Sequence, residues 1–317
     1  MILLPVVVVY AVSAMATTAL CLRAAPISQW LGIVDVPGHR KMHSRPTPLM
    51  GGIVLLLAVL PVVVVSAILG FAGLQLLTSL VWAGSVAGMS MLGLADDRHT
   101  LSPKDRLLVS FLVFGSATIM DTQLNVGWLS FEHPDLKFGF GIPGLAMIFT
   151  TLCCVGLVNA VNMADGKNGL VAGMCLGWLV LLGLRAPASL FPIVAIMAAS
   201  LSVVLLFNLF GRLFLGDSGA YGVATAIGLL SIAIYNTPGS HAGRSISADE
   251  LVVLFLVPVL DSFRLTYVRL REGRSPMSAD RNHLHHYLQN WFGWPVGLVV
   301  YLFLALGPAA IVFVSGL

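Results

Sequence analysis

Acidic, amide and imidazole side chains of this chain are concentrated in five short polar segments, which long apolar runs separate. The segments are 35–52, 96–104, 159–169, 207–219 and 280–286. Mg²⁺ prefers oxygen ligands, and basic side chains form charge-assisted hydrogen bonds with phosphate. Because phosphoryl transfer depends mostly on positioning and charge neutralisation, this combination of residues suits that chemistry.

Asp96 and Asp97 come directly after an apolar run, where a helix would end. The helix dipole is negative at this end, and two adjacent carboxylates repel each other, so the pair has an electrostatic cost. We therefore predict a role in cation binding or proton transfer, with a solvated loop pair as the alternative.

Asp217 lies between Gly216 and Gly219 at the junction of two apolar runs. Glycine lets backbone and ligand approach closely, and a carboxylate together with water and phosphate is a common way to hold Mg²⁺. The sequence therefore predicts a metal ligand. The alternative is that Asp217 caps the following helix, and the two roles are compatible.

Asn159, Asn162 and Asp165 follow an i, i+3, i+6 spacing at the end of a helix, which places them roughly on one face. Their side chains could read the edge of a uracil or complete the coordination of Mg²⁺, and Gly166 supplies a turn. An asparagine-rich helix cap is the alternative.

Three histidines, His283, His285 and His286, follow an arginine-rich stretch. No cysteine is near them in sequence, so hydrogen bonding to a diphosphate is favoured over zinc binding. The arginines would also fit the ordinary positive charge of a cytoplasmic loop. Asp261 lies within an apolar run, and we favour a structural ion pair with Arg264 three residues later.

The composition indicates a membrane protein, because 58% of the 317 residues are hydrophobic and only 10% are charged, with a mean hydropathy of +0.94. Soluble domains carry about 25% charged residues. We predict an all-α integral membrane protein with a single domain over 1–317, a bundle of about ten transmembrane helices. The predicted spans are 2–22, 49–69, 74–95, 105–120, 141–161, 168–184, 188–208, 219–236, 250–270 and 294–315. In the loop 121–140, two short alternating runs around a turn predict a hairpin.

The basic residues predict the orientation. An outside N-terminus followed by ten spans places both termini outside, and 14 of the 17 Lys and Arg residues then face the cytoplasm, as the positive-inside rule requires. All five polar segments fall on this side, so we expect a cytoplasmic-facing active-site cleft. A transporter or flippase would instead place polar residues near the middle of the membrane, and it is the less favoured alternative.

In this order, the five segments resemble the polyprenyl-phosphate N-acetylhexosamine-1-phosphate transferases of glycosyltransferase family 4. The shared motifs are D-x-P-x-x-R-K-x-H-x-x-P-x-P-x-x-G-G at 35–52, an Asp pair with L-S-P-K at 96–104, N-A-V-N-x-x-D-G at 159–166, F-L-G-D-S-G at 214–219 and D-R-x-H-L-H-H at 280–286. The resemblance covers nearly all of the chain.

The resemblance implies transfer of a sugar 1-phosphate from a UDP-sugar to undecaprenyl or another polyprenyl phosphate, with release of UMP. It implies a Mg²⁺ cofactor, with Mn²⁺ as an alternative, and a place in the bacterial cytoplasmic (inner) membrane at the first membrane step of a cell-envelope polysaccharide pathway. The expected partners are the polyprenyl phosphate and a UDP-N-acetylhexosamine, with no nucleic acid, and a homodimer is left open. Leu284 interrupts the histidine run, which favours the N-acetylglucosamine-1-phosphate branch over the phospho-MurNAc-pentapeptide branch.

The resemblance also assigns roles to the acidic residues. Asp217, with Asn162 or Asp165, is expected to hold Mg²⁺. Asp96, supported by Asp97, is expected to act as a base or to orient the lipid phosphate.

Basic and amide residues are expected to bind the substrates, and His285 is expected to act in catalysis as a positive donor to the diphosphate. The residues expected to bind substrate are Arg40, Lys41, His43, Lys104, Asn159, Asp165, Gly166, Asn168, Asn208, His283 and His286. Asn168 stands where the family often has Asp, so it is expected to face uridine with Asn208 and not to act as a base.

Overall fold

A computed structural model describes residues 3–36, 46–70, 73–133, 136–239, 244–276, 278 and 282–315. Within them the chain is mainly helical, and the predicted all-α class is confirmed. The helices are α1 (Leu3–Leu22), α2 (Ala24–Leu31), α3 (Gly51–Ile68), α4 (Leu76–His99), α5 (Pro103–Met120), α6 (Pro143–Ala164), α7 (Leu170–Arg185), α8 (Phe191–Leu209), α9 (Gly216–Asn236), α10 (Ala248–Arg271), α11 (Leu284–Phe292) and α12 (Val296–Ser315).

A helix forms at each of the ten predicted spans, whereas α2 and α11 are short additional helices. Among the described residues, seven helices are long and apolar enough to cross a membrane, and the bent pair α1 and α2 would make an eighth. Of the other two, α7 is a shorter apolar helix, and α5 begins with the charged run Lys104-Asp105-Arg106. The structure thus supports a multi-pass membrane protein, and the count of ten spans stays a prediction.

The central helix is α9, which is buried along nearly its whole length and packs closely against α4. A Cβ atom at Gly93 would lie 2.3 Å from the carbonyl oxygen of Asp217, and one at Gly222 would lie 2.2 Å from Ser90 Oγ. Side chains at these two positions would push the helices apart. The glycines therefore allow the end of α4, with Asp97, to meet the start of α9.

The first small sheet joins two of the polar segments. β1 (Val34–Asp35) pairs antiparallel with β2 (Thr47–Pro48), and Leu49 forms a parallel bridge with Phe214. The N–H of Gly51 then donates to the carbonyl of Phe214 at 3.0 Å. The first polar segment is therefore fixed to the fourth, next to the N-terminus of α9.

The second sheet is a hairpin between α5 and α6, which confirms the hairpin predicted in the loop 121–140. β3 (Trp128–Ser130) pairs antiparallel with β4 (Lys137–Gly139). The hydroxyl of Tyr235, at the end of α9, accepts from the N–H of Ser130 at 2.7 Å and donates to the carbonyl of Trp128 at 2.6 Å. These bonds attach the hairpin to the end of α9 that lies away from Asp217.

Two ion pairs involve carboxylates of α10. Near its start, the buried carboxylate of Glu250 accepts from Arg185, the last residue of α7, at 2.7 Å. Farther along, Asp261 pairs with Arg264 at 2.8 Å. The structural ion pair predicted for Asp261 is therefore confirmed.

Candidate active site

Asp97 lies across the N-terminus of α9. The N–H of Asp217 donates to its Oδ1 at 2.9 Å, and the N–H of Ser218 donates to its Oδ2 at 3.1 Å. These N–H groups have no partner within α9, and the helix dipole is positive at this end, so the carboxylate is held firmly. Gly216 has φ +71°, and a Cβ atom there would lie 2.7 Å from Asp97 Oδ2. The capping role considered for Asp217 thus belongs to Asp97.

Asp217 meets the third polar segment. The Asn162 side chain donates from Nδ2 to Asp217 Oδ1 at 2.7 Å, so the two predicted metal ligands do come together. Asp165, directly after α6, is close enough to interact electrostatically with Asp217 and Asp97. Burial raises the pKa of Asp165 to about 8, and the charges of these two neighbours add to the increase. We call Asp97, Asp165 and Asp217 the carboxylate cluster.

Asp96 has a different environment from Asp97. It is buried, its Oδ2 accepts from Arg106 at 2.7 Å, and its Oδ1 accepts from the N–H of Leu101 at 2.7 Å. The alternative of a solvated loop pair is therefore wrong. Both oxygens of Asp96 already accept from protein donors, and its expected role as a base or as an orienter of the lipid phosphate stays a prediction. Its contacts also suit a residue that orients Arg106.

Two residues of this site were missed in the sequence. In sequence, Arg106 is simply one of the basic residues expected on the cytoplasmic side, yet it interacts electrostatically with Asp217 and with Tyr221 as well as with Asp96. Tyr221 is 2% exposed and lies one helical turn after Asp217. The i, i+4 spacing from Asp217 was the signal that could have identified Tyr221.

The three histidines form a stack beside the third polar segment. The rings of His283 and His285 are nearly parallel at 5.4 Å, and those of His285 and His286 lie 4.1 Å apart. His285 is 1% exposed, and its Nε2 would lie 2.6 Å from a Cβ atom on Gly166. Among the described residues this Nε2 has no hydrogen-bond partner. Gly166 therefore admits the imidazole where a larger residue would displace it.

The charge expected at His285 requires a correction. Burial, followed by the charges of His286 and His283, lowers the pKa of His285 to about 3. The ring is therefore neutral near pH 7, and it is not the positive donor that the sequence suggested.

Asn208 and Asn168 were both expected to face uridine. Asn208 is buried, its Oδ1 accepts from the N–H of Gly169 at 2.5 Å, and its Nδ2 donates to the carbonyl of Leu213 at 2.9 Å. Because its polar groups bind these two backbone segments, Asn208 holds the loops together, and its expected contact with the nucleotide stays a prediction. Asn168 is half-buried, and its carbonyl accepts from Trp294 Nε1 at 3.2 Å.

Asn159, Lys104, Arg40, Lys41 and His43 are the remaining residues that the sequence predicts to bind substrate. Asn159 is half-buried and donates from Nδ2 to the carbonyl of Val155 within α6, at 2.8 Å. Lys104 is exposed on the first turn of α5. Arg40, Lys41 and His43 lie outside the described residues.

The carboxylate cluster suits a hard divalent cation. Within the described part of the chain, no three His, Cys, Asp or Glu side chains are grouped to hold a metal ion by themselves. Mg²⁺ does not need such a group, since it is commonly held by one or two carboxylates together with water and substrate phosphates. Asp165 interacts electrostatically with both Asp97 and Asp217, and a divalent cation would offset the negative charge of these neighbouring carboxylates.

The sequence is similar to a known family and to several known proteins. A family model described as glycosyl transferase family 4 matches residues 79–235, from α4 to the end of α9. A Bacillus subtilis (strain 168) protein named "Probable undecaprenyl-phosphate N-acetylglucosaminyl 1-phosphate transferase" is 28% identical over 271 residues, which cover 81% of this chain and 70% of the relative. Two relatives are named undecaprenyl-phosphate alpha-N-acetylglucosaminyl 1-phosphate transferase. The one from Escherichia coli (strain K12) is 28% identical over 280 residues, and the one from Salmonella typhi is 29% identical over 286 residues, each covering 85% of this chain and 72% of the relative.

Proposed function

Because the chain belongs to glycosyl transferase family 4, we propose that it transfers N-acetylglucosamine 1-phosphate from a UDP-sugar to undecaprenyl phosphate and releases UMP. The observation that carries the proposal is the carboxylate cluster, in which Asp97 from α4, Asp165 after α6 and Asp217 from α9 converge. All three residues lie within the region matched by the family model.

In this reaction, an oxygen of the lipid phosphate attacks the β-phosphorus of the UDP-sugar. The new P–O bond forms as the bond between the β-phosphorus and the bridging oxygen breaks, and that oxygen leaves with its electron pair as part of UMP. Since the lipid phosphate is already largely ionised at neutral pH, the reaction depends on positioning and charge neutralisation more than on a base.

Asp217, with Asn162 or Asp165, would hold Mg²⁺, or Mn²⁺ in its place, and the bound ion would neutralise charge on the diphosphate. Asp97 fixes the start of α9, and with it the place of the Asp217 side chain. Arg106, oriented by Asp96, supplies positive charge beside the cluster.

His285 would offer its Nε2 to the diphosphate as a neutral hydrogen-bonding group. It is placed next to Gly166, at the turn that follows Asp165. Asn168, in the same turn, would face the uridine.

An open groove along α10 supports a lipid acceptor. Its apolar lining comes from Val257, Leu260, Phe263, Tyr267 and Leu284, and Asp261 and Arg264 also contribute. The polyprenyl chain would lie against these apolar side chains, with its phosphate toward the histidines and the carboxylate cluster.

Purified protein in detergent should release UMP from UDP-N-acetylglucosamine only when undecaprenyl phosphate and Mg²⁺ are both present. Chelation by EDTA should stop the reaction, and added Mg²⁺ should restore it. UMP release that does not depend on the lipid would contradict the transferase proposal. A transporter or flippase would release no UMP at all.

The sugar is tested with UDP-MurNAc-pentapeptide in a parallel assay. The names of the relatives and the interrupted histidine run both favour N-acetylglucosamine. Faster turnover of the pentapeptide substrate would assign the chain to the other branch.

The proposed orientation places the cluster at the cytoplasmic side of the inner membrane and both termini outside. Starting from a variant with Cys153 replaced by Ser, a cysteine at Lys137 on the hairpin should react with an impermeant maleimide in intact cells, and one at Ser275 should react only after lysis. The reverse pattern would contradict the orientation.

A further inference from the structure

One carboxylate, that of Asp261, receives donors from two separate parts of the chain. Its Oδ1 accepts from Arg264 Nη2 at 2.8 Å and Nε at 3.2 Å, and its Oδ2 lies 3.2 Å from His283 Nδ1. The N–H of Leu284 donates to both oxygens, at 3.3 and 3.2 Å. This arrangement goes beyond a surface pair within one helix, because two of the donors lie outside α10.

The bond to Leu284 caps α11 from outside the helix. Leu284 is the first residue of α11, and the N-cap residue His283 makes no side-chain capping bond. Asp261 therefore supplies the acceptor that the first N–H group of this helix needs. Its negative charge also lies at the positive end of the α11 dipole.

Arg264 also links α10 to the residues around the start of α11. Its guanidinium donates to the carbonyl of Asn282 and lies 5.8 Å from the centre of the Tyr287 ring. Asp261 and Arg264 together thus hold the segment 282–287, which contains the histidine stack, against α10. We call these two residues the α10 clamp.

The α10 clamp contacts the expected site of reaction indirectly, through His283 and His285. His283 is held by Asp261, and its ring is nearly parallel to that of His285, which contacts Gly166 beside Asp165. A carboxylate that binds one imidazole nitrogen selects the tautomer and the direction of the ring. The position of His285 Nε2 therefore depends on Asp261, a residue of α10 that is not a member of the carboxylate cluster.

We infer that Asp261 is a positioning residue for the transfer reaction, which sets the place of His285 through His283 and through the N-terminus of α11. The inference rests on the proposed function. It assigns the ion pair within α10 a role in turnover as well as in stability.

The test compares Asp261→Asn with Glu250→Gln. Both variants neutralise a carboxylate of α10 that forms an ion pair with an arginine, but the pair of Glu250 with Arg185 lies eleven positions earlier in the helix, nearer the hairpin end of the bundle. Asp261→Asn should lower kcat about 10- to 100-fold, because a small misplacement of a group in an active site can cost this much. The KM for UDP-N-acetylglucosamine should change much less. Glu250→Gln should keep kcat per folded molecule.

Chemical modification supplies a readout that does not depend on activity. His285 is almost fully buried and should react slowly with diethyl pyrocarbonate in the unaltered protein, as measured by mass spectrometry of the peptides. In Asp261→Asn its modification should be several-fold faster under conditions where the protein stays folded, and in Glu250→Gln it should be unchanged. Asp261→Glu, which keeps the charge, should restore part of both kcat and protection.

Two results would overturn the inference. Equal losses of kcat in Asp261→Asn and Glu250→Gln, in proportion to lost folded protein, would leave Asp261 only a structural role. Loss of kcat without faster modification of His285 would show that Asp261 acts by another route. If the unaltered protein released no UMP, the proposed function would fail, while the modification experiment would still test the clamp.

Discussion

Two acidic sites in this molecule differ in how their charge is balanced. Asp261 is surrounded by an arginine, a histidine and a backbone N–H. Within the described part of the chain, the carboxylate cluster receives the Asn162 amide and two backbone N–H groups, and the nearby Arg106 is itself bound to Asp96. A buried charge is stable when it is paired, whereas uncompensated carboxylates mark a place where a ligand is expected. The charge of the first site is therefore balanced by the protein itself, and the second site is where we expect a cation to bind.

The largest expected effect comes from removing charge from the cluster. Asp217→Asn should lower Mg²⁺-dependent UMP release by about 100-fold or more, on the scale of other preorganised electrostatic groups in active sites. A steady-state assay over a range of Mg²⁺ concentrations measures this effect. Asp249→Asn, at the hairpin end of α10, is the matched control. Unchanged metal dependence in Asp217→Asn would move the metal site elsewhere.

Asp97→Asn should have two effects because Asp97 has two roles. Loss of a helix-capping carboxylate should reduce the free energy of unfolding by about 1 kcal/mol. Turnover should fall about 10- to 100-fold, since the start of α9 carries Asp217. Thermal unfolding in detergent and the UMP assay measure the two effects separately. A variant that lost stability but kept full turnover would reduce Asp97 to a cap.

Several features of the fold and of the candidate site could be predicted from local sequence patterns. The hairpin, the Asp261–Arg264 pair and the meeting of Asn162 with Asp217 were expected from spacing, composition or motif resemblance. The hairpin and the ion pair depend on residues that are close together in sequence. The contact of Asn162 with Asp217 was expected because the chain resembles a family that has both motifs.

The features that could not be predicted depend on contacts between distant parts of the chain. Asp97 caps α9 by accepting from Asp217, which lies 120 residues later, and Asn208 bridges two loops because both pass beside α8. Arg106 reads in sequence as an ordinary basic residue near a membrane surface. Only the packing of α4, α5 and α9 shows that it balances Asp96.

A smaller effect is expected at the contact between Gly166 and His285. Gly166→Ala would place a Cβ atom 2.6 Å from His285 Nε2, so the buried ring must move. Turnover should fall about tenfold, as expected for loss of one hydrogen bond to a charged group. Gly156→Ala, where nothing lies within 4 Å, is the control in α6. Full activity of Gly166→Ala would contradict the proposed role of His285.

The last prediction concerns stability at acid pH. The pKa of His285 is about 3 in the folded protein and about 6.5 when unfolded, so the unfolded state takes up a proton first as the pH falls below about 6.5. Stability should therefore decrease on acidification from pH 7 to pH 5, by at most about 2 kcal/mol from this group. His285→Gln should show a smaller decrease in melting temperature over the same range. An equal decrease would indicate that His285 is not held neutral.

Binding of Mn²⁺ to the purified protein, followed by electron paramagnetic resonance, tests the difference between the two acidic sites most directly. With UDP-N-acetylglucosamine present, we expect the unaltered protein and Asp261→Asn to bind one Mn²⁺ per chain, and Asp217→Asn to lose that site. Retention of the site in Asp217→Asn, or its loss in Asp261→Asn alone, would contradict the assignment of the cation to the carboxylate cluster.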